Sequence, residues 1–282
     1  MLQEISKKNF KQMFKNKSLL IGLILFSFFV FVAMLAIVWT PYSYQEVFEG
    51  SALLPPSIKY WLGTDDLGRD ILSRLLVGAQ LSLGIGVFVG GISVVIGATL
   101  GVISGYYGGK TDRFLVQIMN AIQALPSLLL ALFVVAILGG GVINTMASVT
   151  LVSIPLMFRL VRSAAIVESS KDYIVSARAL GASDFRIIKS HIFPNCITPI
   201  LVQTAVCCSD AILNTAALGF LGLGIPAPYP EWGTMLSDSK TFIETAPQLM
   251  TMPGLCLLIL ILSTQLISDG LRDQLDPKLR GR

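Results

Sequence analysis

The sequence predicts an all-α membrane protein with six transmembrane helices and both termini on the cytoplasmic side. Three observations predict it: long stretches without charge, an apolar composition, and a one-sided distribution of Lys and Arg. Asp, Glu, Lys and Arg are missing from residues 18–45, 75–109, 114–158, 192–209, 211–230 and 245–268, with Asp210 alone separating the fourth from the fifth. A bilayer core takes about 20 apolar residues per helix. The 114–158 stretch is about twice that length and is interrupted by Gly139-Gly140-Gly141, so it reads as two spans, whereas 192–230 reads as one long span. The chain is 54% hydrophobic and 13% charged, against roughly 25% charged in soluble domains, and its mean hydropathy is +0.73.

Taken in order, residues 1–17 form a basic tail with Lys7, Lys8, Lys11, Lys15 and Lys17, and 18–40 the first helix. A basic start before an apolar run also suits a cleavable signal. The run from Leu19 to Trp39 has 21 residues, longer than the roughly 7–15 of a signal core, so it reads as a retained helix with Trp39 at the interface. Residues 41–77 form an extracytoplasmic loop. A core at 78–268 carries helices at 78–106, 114–138, 142–166, 196–224 and 246–268, and 269–282 form a second tail. Lys110, Arg113, Arg159, Arg162, Lys171, Arg178, Arg186, Lys189, Arg272, Lys278, Arg280 and Arg282 fall with the N-terminal tail, and only Lys59, Arg69, Arg74 and Lys240 on the other side. Basic residues stay in the cytoplasm, which sets the orientation. Gly97, Gly101 and Gly105, with Gly86 and Gly90, suit close helix packing within one subunit. Pro126 and Pro155 lie inside spans, where protein must cover the freed backbone groups.

The cytoplasmic loop 167–195 is patterned. Ser169 and Asp172 have capping-box spacing, with Asp for the usual Glu. A short helix to Leu180 then meets Gly181 at a C-cap position, Ser183 starts a second helix, and Pro194 ends it. Two flat helices under a bundle suit docking of a soluble partner, and they equally suit an ordinary return loop.

The run Asp172-Tyr-Ile-Val-Ser-Ala-Arg-Ala-Leu-Gly181, closed by Pro194, resembles the coupling loop of ABC-importer permeases, whose pattern is Glu-Ala-Ala, three residues, then Gly. Here Val175, Ser176 and Ala177 occupy the first three positions, so nothing resting on the Glu carries over. Leu62-Gly-Thr-Asp-Asp-Leu-Gly-Arg-Asp-Ile-Leu-Ser-Arg74, the run from Leu218 through Gly-Ile-Pro-Ala-Pro-Tyr-Pro-Glu-Trp-Gly to Leu236, and the tail from Ser268 to Pro277 are similar to the dipeptide, oligopeptide and nickel permease family. The stretch Asp210 to Leu218, with Thr215 where many oligopeptide-type members carry Glu, looks most like the dipeptide-type subunit. The resemblance implies a type I ABC importer permease fold in the cell (cytoplasmic or inner) membrane. It also implies a homologous permease subunit, two cytoplasmic ATP-binding subunits and an extracytoplasmic substrate-binding protein. Coupling to the ATPases then falls to Val175, Ser176, Ala177, Arg178 and Gly181.

No GxxxxGK[ST] loop is present, so ATP and Mg are expected on partner subunits and the chain itself carries no cofactor, catalytic residue or metal site. Asp210 is the one charge deep inside a span and is costly there. With Asn214 at i+4 it can face the bundle interior, either lining the translocation path or holding one helix against another. His191 has no second His for a metal site. Cys196, Cys207, Cys208 and Cys256 lie in or beside apolar spans and read as packing residues. Asp65, Asp66, Arg69 and Asp70 either pair among themselves on a short surface helix or meet the binding protein. A stand-alone secondary transporter is the second class, but no internal repeat supports it. An intramembrane hydrolase is the third, and the spans hold no His and one acid. Among importer cargoes, dipeptides or short peptides lead, with nickel, another metal chelate or haem as alternatives. The partners are protein and lipid bilayer, not nucleic acid.

Overall fold

A computed structural model describes residues 16–275 as a helical bundle; Lys7, Lys8, Lys11, Lys15 and residues 276–282 of the two tails lie outside the described residues. Eight helices matter here: α1 (Lys17–Val38), α2 (Ile71–Tyr107), α3 (Gly109–Ile122), α4 (Ser127–Leu138), α5 (Val142–Ser169), α6 (Asp172–Ala179), α7 (Asp184–Phe220) and α8 (Trp232–Asp238). A ninth, α9 (Gln248–Leu275), closes the bundle. The helices α1, α2, α5, α7 and α9 are long and apolar enough to cross a membrane, and the bent pair α3–α4 brings the number to six where the pair is counted as one span.

The interior is built by small residues that let long helices touch. On α2, a Cβ added at Gly97 would come within 2.8 Å of Met157, one at Gly101 within 2.8 Å of the Phe158 carbonyl, and one at Gly105 within 2.7 Å of Ala165. That stripe therefore packs against α5 inside one subunit. The second stripe packs against α7, where a Cβ on Gly86 would meet Ile212 at 2.8 Å and one on Gly90 would meet Cys208 Sγ at 2.5 Å. Such close approach supplies the dispersion contacts that replace hydrophobic driving force in lipid. Helix α1 lies on α9, with a Cβ at Gly270 reaching 2.5 Å from Leu19. Ser209 and Thr264 hydroxyls share a 2.6 Å hydrogen bond between α7 and α9. The four cysteines are free, Cys196 and Cys207 fully buried in this packing.

Several elements differ from the sequence expectation. The expected single helix at 114–138 is two helices meeting at 80°. Pro126 sits at φ −53°, ψ 137° at the start of α4; its ring removes a backbone donor and pushes the preceding residue out of the helical region. Helix α2 begins at Ile71 rather than 78, because Asp70 caps it: its Oδ2 accepts from Ser73 N (2.8 Å) and Ser73 Oγ (2.7 Å). Pro194 does not end a helix. A π turn at Ile188–Ile192 precedes it, so the missing donor falls where the hydrogen-bond register is already shifted, and α7 runs unbroken from Asp184. The Ser169–Asp172 capping box does not form; Ser169 Oγ bonds back to Ile166 O at 2.9 Å and belongs to the end of α5. Ser183 holds the N-cap position of α7, but its hydroxyl makes no capping bond. Helix α9 continues past 268 to Leu275.

Asp65 to Asp70 form a turn rather than a helix. Asp65 N donates to Arg69 O at 2.9 Å, and the Asp65 carboxylate takes Arg69 N (2.8 Å) and Arg69 Nε (2.7 Å), with Arg74 Nε at 3.5 Å. All three side chains are at most 10% exposed, which makes this turn a buried ion network over one end of the bundle. Beside it, Trp232 on α8 is buried and donates Nε1 to Leu75 O at 3.2 Å. Glu231 caps α8 through Gly233 N (2.8 Å) and Thr234 N (2.9 Å); burial pushes its carboxyl pKa up against the pull of those donors.

Candidate functional site

At the end of the bundle opposite the Asp65 turn, α6 and the first turns of α7 form a bracket. Its inner face is anchored by Ile174, Ile187 and Ile192, each with no exposed surface, packed with Val161, Ala165 and Cys196. Its outer face is apolar and open: Val175 is 60%, Phe185 73% and Leu180 88% exposed. The turn between the two pieces is fixed by Gly181 at φ +81°. Gly181 N donates to Arg178 O at 3.0 Å and Ala182 N to Ala177 O at 3.1 Å, the paired bonds of a Schellman motif that only a residue at ease with positive φ closes cheaply.

Two braces tie the bracket to the spans, and a third locks the spans to one another beside it. Tyr173 Oη donates to Glu168 at the end of α5, and Lys171 Nζ reaches Glu168 Oε2 at 2.6 Å; burial and the Glu168 carboxylate push the Tyr173 phenol pKa up to about 12. Tyr106, at the end of α2, donates its hydroxyl to Asp184 Oδ1 at 2.6 Å while the Arg178 guanidinium lies 5.2 Å over its ring. Next to them Arg162 of α5 grips Asp112 of α3 through two bonds, Nε–Oδ1 at 2.5 Å and Nη2–Oδ2 at 2.7 Å. Ser104 of α2 donates to the same Oδ1 at 2.5 Å. A bidentate guanidinium–carboxylate pair fixes orientation as well as distance. The bracket is thereby joined directly to α2 and α5, and through Asp112 those two helices are joined to α3.

Of the sequence-predicted residues, Val175 and Ser176 face outward, Ala177 is half-buried, Arg178 is an exposed brace, and Gly181 makes the turn. Asp210 and Asn214 are both half-buried on α7. Asn214 Nδ2 is committed to the Asp210 backbone carbonyl at 2.8 Å, and among the described residues no hydrogen bond or ion pair reaches the Asp210 carboxylate. His191 lies edge-on to Tyr173 at 6.0 Å. Sequence reasoning did not single out Leu180 and Phe185 as the exposed apolar side chains of the bracket. The signal was present: both are large apolar residues off the Ile174–Ile187–Ile192 stripe that buries the bracket.

The structure is thus a helical bundle with candidate membrane spans and a braced apolar bracket at one end. Residues 97–281 match the family model described as "Binding-protein-dependent transport system inner membrane component", and residues 6–56 match the "N-terminal TM domain of oligopeptide transport permease C". The chain belongs to the first of these families. It is 44% identical over 274 residues to the dipeptide transport system permease protein DppC of Alkalihalophilus pseudofirmus, covering 97% of this chain and 90% of that protein. It is also 44% identical over 280 residues to the di/tripeptide transport system permease protein DppC of Pseudomonas aeruginosa, covering 97% and 92%. The fold is similar to a chain of the MetNI methionine ABC transporter, with TM-score 0.60 and 21% identity over 71% of this chain and 96% of that one. This confirms the type I importer permease fold and a multi-pass membrane subunit.

Proposed function

We propose that this chain is one of two homologous permease subunits of an ATP-driven importer that carries dipeptides or short peptides into the cell. The observation that carries the reading is the near-full-length 44% identity to permeases named for dipeptide and di/tripeptide transport. The bracket supplies a mechanism. An apolar knob of Val175, Leu180 and Phe185 seats in a groove on a cytoplasmic ATP-binding subunit. Closure of the two ATPases on ATP moves both brackets, and the braces at Glu168, Tyr106 and Asp112 carry that movement into the spans that line the path. ATP and Mg belong to those partner subunits, and an extracytoplasmic binding protein delivers the cargo to the end carrying the Asp65 turn and α8. Both termini are then cytoplasmic, the side on which Lys and Arg are concentrated. Asp210, with a half-buried carboxylate, lines the path alongside Asn214.

The test is uptake of a labelled dipeptide by cells with and without the chain. Loss on deletion, restored by the intact chain, is expected. Unchanged uptake together with lost uptake of nickel or haem would replace the cargo; unchanged uptake of all of these would overturn the reading.

A further inference from the structure

The break between α3 and α4 opens a polar cavity beside a membrane span. Its volume is about 610 Å³, and Asn120, Gln123, Pro126, Ser127, Val152 and Arg159 line it. That size lies within the roughly 300–1,000 Å³ typical of small-ligand sites. The lining is mixed in a particular way: one cation, two primary amides and a hydroxyl set against aliphatic wall.

Arg159 is what singles the cavity out. It lies one helical turn before Arg162 on α5, and the two arginines have opposite fates. Arg162 is neutralised by the two-bond pair with Asp112. Arg159 instead donates Nη2 to the neutral amide oxygen of Gln123, and no carboxylate lies within ion-pair distance of it among the described residues. Arg159 is exposed on the half of α5 nearer the bracket, and its guanidinium opens into this cavity. Gln123 holds the guanidinium by one of its five donors, leaving the rest for an incoming anion. A planar guanidinium matches a carboxylate through two parallel bonds, and neighbouring amide and hydroxyl groups suit a peptide unit next to that carboxylate.

We propose that Arg159, positioned by Gln123 at the α3–α4 break, is a subsite of the translocation path that receives the terminal carboxylate of the peptide cargo. The proposal rests on the peptide-import reading above. An unmodified dipeptide always presents a C-terminal carboxylate, whatever its side chains, so one fixed cation serves the whole cargo class.

The test uses the assembled complex in nanodiscs, with Ser127→Cys introduced and its reaction with a charged methanethiosulfonate reagent followed; the same complex without that cysteine gives the background. Alanyl-alanine at ten times its dissociation constant is expected to slow labelling about tenfold by occupancy, and its C-terminal amide to protect little. Arg159→Gln removes the difference between acid and amide, while Arg159→Lys, which keeps the charge, retains part of it. Equal protection by acid and amide, no protection by either, or a difference that survives Arg159→Gln overturns the subsite. Protection that requires phosphatidylglycerol in place of phosphatidylcholine, without peptide, assigns Arg159 to a lipid headgroup and also overturns it. In each case peptide transport by the unmodified complex is measured alongside: transport intact means that only the subsite fails, and transport absent means that the peptide reading fails.

Discussion

Leu180→Ala separates a docking residue from a folding residue more cleanly than any other change in this chain. Leu180 is 88% exposed, so truncating it removes no internal contact, and the permease itself changes by less than about 0.5 kcal/mol. If the bracket seats in an ATPase groove, the same truncation removes three carbons from a buried interface. At about 0.8 kcal/mol per methylene the loss is about 2.4 kcal/mol, which is roughly a 50-fold weaker affinity for each bracket. The assay titrates the ATP-binding subunits onto the detergent-solubilised permease pair, with the melting midpoint of the pair measured alongside. The expected result is weaker binding at an unchanged midpoint. Unchanged affinity would refute the bracket as the docking element, and a lowered midpoint would refute the claim that Leu180 has no role in the fold.

Three further outcomes follow from the geometry. Gly181→Arg places a side chain at φ +81° with open space around it, so its cost is conformational, about 1–2 kcal/mol; transport is expected to fall, and Gly181→Asn, which tolerates that φ, to retain it, with equal transport by the Arg variant counting against the lever. Asp65→Ala strands Arg69 and Arg74, whose side chains are 10% and 5% exposed, and is expected to cost about 3 kcal/mol, read as a drop in melting temperature that Leu180→Ala does not cause. The Tyr173 pKa is raised to about 12 in the fold from about 10 in an unfolded chain; its contribution is therefore complete below pH 10 and lost as pH rises through 12. The ultraviolet difference between the alkaline titrations of the protein and its Tyr173→Phe variant is expected to place that ionisation near pH 12, and a midpoint near 10 would mean that the Glu168 brace is not formed.

How much of this was legible in the sequence depended on whether a feature is written locally. The long spans were, because a bilayer tolerates neither charge nor unpaired backbone, so 18–45 and 245–268 announce themselves by what they lack. Gly181 was legible too: a glycine after a short amphipathic run has few other uses. Pro126 was visible but its effect was not, since Pro155, Pro199 and Pro253 lie inside helices that continue through them; only the surrounding packing decides which proline breaks the chain. The π turn at 188–192 carries no local signal, so Pro194 looked like a stop. Asp65 and Arg69 looked like surface charges because part of what surrounds them comes from chain more than a hundred residues away, with Met235 and Leu249 lining the same pocket. The contrast between Arg159 and Arg162 is likewise tertiary, since it depends on Asp112 and Gln123 arriving from another helix.

The central claim is that this chain forms part of an ATP-driven path for short peptides. The most direct measurement is accumulation of a labelled dipeptide in proteoliposomes holding the permease pair, the two ATPases and the binding protein, prepared with and without this chain. Accumulation that requires ATP, requires this chain and falls in proportion to ATPase affinity in the Leu180→Ala complex is the predicted result. A complete complex that hydrolyses ATP yet accumulates no peptide would contradict it.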